Sequence, residues 1–132
     1  MREIKFRAWD GKEMWTGFHI LPSNIIAPPA YTKTKTDLEF MQFTGLKDKN
    51  GVEIWEGDIV RPVIHADSNS ASVVVYADSK ATFCAPQVIP HNRYELPEKH
   101  WMPLHSLIET YGSGIEVIGN TYENPKLLKE TV

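Results

Sequence analysis

Ile4-Lys5-Phe6-Arg7-Ala8 alternates apolar and charged positions, the period of a strand with one buried face. Asp10-Gly11 follows as a two-residue hairpin turn, and Met14-Trp15 begin the return strand. From residue 18 to about 37 the alternation fails around Pro22, Pro28 and Pro29, and Thr32-Lys33-Thr34-Lys35-Thr36 has no apolar face, so this stretch reads as a long exposed insertion. Leu38 to Thr44 is apolar-rich and predicts another strand. The polar turn Lys47-Asp48-Lys49-Asn50-Gly51 ends in a second hairpin-type dipeptide, after which Val52, Ile54 and Trp55 return to the core. Gly57-Asp58 suits a tight turn before the strand Ile59-Val60, which Pro62 confines to an edge or a bend.

Val73-Val74-Val75-Tyr76 and Ala81-Thr82-Phe83 read as two strands of a hairpin joined around Asp78-Ser79. Pro86, Pro90, Pro97 and Pro103 remove so many amide donors that residues 85–103 are expected to form an irregular insertion. Leu104, Leu107 and Ile108 have helical spacing behind Pro103, with Gly112-Ser113-Gly114 as the stop. Ile115-Glu116-Val117-Ile118 is the last strand, and Asn124-Pro125 resembles a cap and first helical residue. The order predicts one mainly β domain over residues 1–132, an open barrel or a small sandwich, with one or two short helices.

Composition narrows the class further. The 132 residues are 42% hydrophobic and 23% charged, which suits a folded domain with a core of its own. A formal net charge of -3 removes the global attraction that drives non-specific nucleic-acid binding, while leaving room for a local basic stripe. The single cysteine, Cys84, fits a reducing compartment, and the sequence shows neither an export signal nor an apolar stretch of bilayer length; a cytoplasmic protein is expected.

Candidate chemistry is sparse. Cys84, His91, His100 and His105 are separated by gaps of six, eight and four residues, none a zinc-ligand spacing, and Pro103 keeps the last two histidines off one helical face. Cys84 between Phe83 and Ala85 reads as a packed thiol, and no nucleophile or phosphate-loop motif is present, so no catalytic residue, cofactor or metal is expected. Glu53, Glu56 and Asp58 cluster beside a turn and could serve acid and base chemistry or a cation; a local backbone hydrogen bond is the better expectation for Asp58. The aromatic and basic positions Lys5, Arg7, Trp9, Lys12, Trp15, Lys47 and Trp55 could instead form a stacking surface for bases or a subunit interface.

Three ordered strings carry a resemblance. They are Arg2-Glu3-Ile4-Lys5-Phe6-Arg7-Ala8-Trp9-Asp10; Met41-Gln42-Phe43-Thr44-Gly45-Leu46-Lys47-Asp48-Lys49-Asn50-Gly51 with Glu56-Gly57-Asp58-Ile59-Val60; and Ile115-Glu116-Val117-Ile118-Gly119-Asn120-Thr121-Tyr122-Glu123-Asn124-Pro125. Together they resemble the YopX family of phage and prophage proteins, which more often shows Tyr where Phe43 and Trp55 stand and an aliphatic residue where Thr121 stands. The resemblance implies a mainly β fold with a small SH3-like barrel, a tendency to homo-oligomerise, and a bacterial host cell as the setting, without a defined biochemical activity. The function expected first is therefore a non-enzymatic, homo-oligomeric interaction protein with a phage or host protein partner. A nucleic-acid-binding module on a small β-barrel is second, and a nucleotide- or sugar-acting enzyme using Glu56 and Asp58 is third.

Overall fold

The computed structural model describes residues 3–21, 24–26, 28, 38–63, 71–86, 101–110 and 114–128. The first ribbon forms where the alternation predicts it. Strand β1 (Phe6–Trp9) pairs antiparallel with β2 (Met14–Leu21) on one side and β4 (Glu39–Lys47) on the other. Outer strands β3 (Asn24–Ile26) and β5 (Glu53–Trp55) complete a five-stranded sheet in the order β3-β2-β1-β4-β5. The loop expected from residue 18 onward is thus a strand as far as Leu21, paired to Asn24–Ile26. Residues 29–37 lie outside the described residues.

Two three-stranded sheets follow. Strand β6 (Asp58–Pro62) lies between β11 (Ile115–Asn120) and β7 (Ser72–Val73), and β9 (Thr82–Ala85) lies between β8 (Val75–Ala77) and β10 (Met102–Pro103). β6 is a central strand, a correction to the edge placement: Pro62 occupies its last position, where a missing amide weakens only the end of the ladder. Residues 73–76 form two strands instead of one. Val74 interrupts them, donating its amide to the Asp58 carbonyl and accepting from the Gly57 amide, both at 2.8 Å, so the chain passes from one sheet to the other there. The hairpin around Asp78-Ser79 stands, closed by a 3-10 turn over Asp78–Lys80. Both ends of the segment 85–103 are tied down, because Met102 and Pro103 pair with Ala85 and Cys84; residues 87–100 lie outside the described residues.

Helix α1 (Leu104–Thr110) follows Pro103 as its spacing predicts and buries Leu104 and Leu107. These pack with Ile54, Val60, Val74, Ala85 and Ile115 into the apolar core, where each full aliphatic burial contributes about 1.5–3 kcal/mol. Of the residues expected to re-enter the core after the Asn-Gly turn, Ile54 and Trp55 do so and Val52 remains exposed. Among the described residues the ladders form three antiparallel sheets and close no barrel, so the fold is mainly β without the closed form of the SH3-like expectation. No helix among these residues is long and apolar enough to cross a membrane.

Candidate functional site

Strand alternation would turn Lys5 and Arg7 outward together; in the structure both lie against the Trp55 ring instead. Arg7 is 8% exposed, with Nη2 donating to Asp58 Oδ1 at 2.8 Å and to the Glu56 carbonyl at 3.3 Å, and its guanidinium lies 5.4 Å from the Trp55 ring centre. Trp55 is 7% exposed and packs against Phe43 at 5.5 Å. Lys5 is half-buried, ion-paired to Glu53 and, at 3.4 Å, to Glu3, with its ammonium 4.7 Å from the Phe43 ring and 5.8 Å from that of Trp55. The hydrogen bond to Glu53 raises the Lys5 pKa. Lys5, Arg7 and Trp55 are therefore brought together, as one internal joint where β1 meets the β5–β6 turn.

The remaining candidates lie elsewhere. Lys12 is exposed in the β1–β2 turn, and the half-buried Trp15 donates its indole N–H to Asp10 Oδ2 at 2.9 Å. Trp9 is half-buried against Tyr122, with ring centres 5.8 Å apart. Lys47 is exposed and stands opposite Glu53 in the β4–β5 ladder. Of the histidines and cysteine weighed as metal ligands, Cys84 is buried in β9 and His105 is exposed on α1, while His91 and His100 lie outside the described residues. No group of three or more potential ligands occurs among the described residues.

All three carboxylates beside the β5–β6 turn are engaged. Glu53 holds Lys5, and Glu56 accepts the Gln42 amide at 2.8 Å while its own amide donates to the Gln42 carbonyl at 3.0 Å. Asp58 makes the local backbone bond expected of it, accepting the Trp55 amide through Oδ2 at 2.8 Å, and adds the ion pair with Arg7. Burial pushes the Asp58 carboxyl above its usual value, against the opposing pull of Arg7 and the Trp55 amide. Burial and the nearby Glu39 and Glu56 likewise push the Tyr122 phenol up.

The same construction recurs at the other turns. Asp10 Oδ1 accepts the amides of Lys12 and Glu13, each at 2.7 Å. Asp48 Oδ1 accepts those of Asn50 and Val52, and Oδ2 reaches across to the Val117 amide on β11 at 3.0 Å. Asn120 Oδ1 accepts from Tyr122 and Glu123. Asn124, expected as a forward helix cap, turns its side chain back to the Asn120 amide at 3.1 Å, while its backbone carbonyl receives Leu127. Gly119 makes room for that contact, since a Cβ there would lie 2.6 Å from Asn124 Oδ1. Sequence reasoning overlooked Asp48, Asn120 and the Arg7 pairing. Asp48 and Asn120 did carry a signal, as turn-type polar residues embedded in the strings that carry the family resemblance, whereas nothing local marked Arg7 as buried.

These features define a small, mainly β domain whose antiparallel strands are locked at their turns by buried Asp and Asn side chains and by the buried Arg7–Asp58 ion pair. The chain belongs to the YopX protein family, whose model matches residues 5–129, nearly the whole chain rather than the three strings alone. It is also similar to a crystal structure of protein EF1440 from Enterococcus faecalis, with 32% sequence identity, 97% of this chain and 99% of that one covered, and a TM-score of 0.60. No curated protein matches it.

Proposed function

We propose that the protein is a non-enzymatic, homo-oligomer-forming interaction protein, of phage or prophage origin and acting in the bacterial cytoplasm. The observation that carries this reading is a pair of exposed apolar side chains on one face of the five-stranded sheet, Ile4 and Phe40. Register places Phe6 opposite Gln42 and Ala8 opposite Phe40, so Phe6 and Phe40 share a face, with Ile4 in the same parity just before β1. Ile4 is 53% and Phe40 40% exposed, while Phe6 is half-buried and Ala8 and Phe18 on the same face are buried, so Ile4 and Phe40 are the apolar side chains left for a subunit contact to cover there. The polar residues of the family strings support the same reading, because those described at the turns are engaged in holding the turns rather than gathered around a common cleft.

Size-exclusion chromatography with light scattering tests the proposal. A defined oligomer that Phe40→Lys dissociates, with the circular dichroism spectrum retained, is the expected result. A strict monomer at high micromolar concentration overturns it, and co-elution of that monomer with an oligonucleotide in a salt-dependent way would favour nucleic-acid binding through Lys12 and Lys47 instead.

A further inference from the structure

The β4–β5 turn contains a reactive dipeptide held in an unreactive geometry. Of the six asparagines in the chain, Asn50 alone precedes a glycine. Glycine leaves the following amide nitrogen unhindered, which makes Asn-Gly the dipeptide most prone to intramolecular attack on the side-chain amide. Both residues are exposed, so water and base reach them. The turn nevertheless holds the atoms that must move. The nucleophile, the Gly51 amide, donates to the Asp48 carbonyl at 3.0 Å, the Asn50 amide donates to Asp48 Oδ1 at 2.8 Å, and Val52 donates to that same oxygen at 2.9 Å.

The geometry points to Asn50–Gly51 as a spontaneous deamidation site that the Asp48-centred turn holds in check. In the reaction the Gly51 nitrogen loses its proton and bonds to Asn50 Cγ. The bond from Cγ to the side-chain nitrogen breaks, and ammonia leaves with that proton. Water then opens the resulting succinimide at either carbonyl, giving aspartate or isoaspartate at position 50. Isoaspartate adds a methylene to the main chain inside the turn, which draws Val52 away from Asp48; either product adds a negative charge beside that carboxylate. Because Asp48 also holds Val117, opening the turn and loosening β11 are linked events.

The test is peptide mapping by mass spectrometry after incubation at mildly alkaline pH, on the folded protein and on the protein in urea, with isoaspartate scored by fragmentation. Asn50 is expected to be the first asparagine modified in urea, and to react at least about tenfold more slowly in the folded chain, where it must await local opening. Equal rates in the two states, or earlier modification of another asparagine in urea, overturn the inference. Under folding conditions Asp48→Asn should raise the rate above that of Leu107→Ala, which destabilises the distant core and leaves the turn tied; the reverse order also overturns it.

Discussion

Asp48, at the entry to the β4–β5 turn, and Asp58, at the exit of the β5–β6 turn, are both buried and both accept backbone amides, yet they are stabilised differently. Asp48 is surrounded by amide donors: three N–H groups from Asn50, Val52 and Val117 converge on its two oxygens. Asp58 has one such amide and relies on the Arg7 guanidinium for the rest. Fixed dipoles tie a carboxylate to its place without introducing a second charge. An ion pair brings a second desolvated group with it, and Arg7 shows the cost, since its Nε is buried without a partner among the described residues. One turn thus depends on backbone geometry and the other on charge balance.

The comparison breaks most sharply at the ion pair. Asp58→Ala leaves a buried guanidinium without its counter-charge and should lower stability by about 3–5 kcal/mol, read from urea unfolding midpoints. Arg7→Met combined with Asp58→Asn removes both charges and should lose far less; equal losses would show that the pair acts through shape alone. The acid side sharpens the same point. A folded-state pKa raised above the unfolded 3.8 means that the native state binds the proton first, so this group's contribution to stability falls as pH rises from the unfolded value through the folded one. Asp58→Asn should flatten that part of the urea midpoint against pH curve.

Next in size, Asp48→Ala strands three amides and should cost about 1–3 kcal/mol, with amide exchange of Val117 accelerating alongside that of Asn50. Gly119→Ala, forced against Asn124, should cost a similar or slightly smaller amount, about 1–2 kcal/mol by thermal unfolding. The smallest effect is expected where charge is partly solvated. Glu53→Gln should cost less than about 1 kcal/mol, a difference that shrinks further in high salt.

Much of this was legible along the chain. The strand at Phe6 to Ala8, the helical spacing behind Pro103 and the local bond of Asp58 are all short-range consequences of residue type, and each stands in the structure, although the alternation of buried and exposed positions does not, with Ile4 exposed and Arg7 buried. Arg7 was not legible as a buried group, because alternation assigns a charged residue to the wet face and its partner lies 51 residues away. Asp10-Gly11, expected as a two-residue turn, sits in a loop that runs from Asp10 to Glu13 because Trp9 pairs with Met14, whereas the Asn-Gly signal stands as the end of a polar turn. Asn50 keeps a negative φ, as Ala81 is the only non-glycine with a positive one among the described residues, and Gly51 alone takes φ 81, so the loop has three residues between Asp48 and Val52. Val74 could not be read as a break within a valine run, since only the third dimension places the Asp58 carbonyl and Gly57 amide beside it.

The reach of Asp48 to Val117 has a consequence in time. The two residues are 69 positions apart, and the amide of the neighbouring Lys49 waits on the Ile115 carbonyl in the same way. During synthesis the first ribbon can pair as soon as β4 leaves the ribosome, but β11 is the last of the described strands to be made. Until it arrives, one oxygen of the Asp48 carboxylate has only water to hold, and the nascent chain carries an unfinished β4–β5 turn whose completion reports that the final strand has docked.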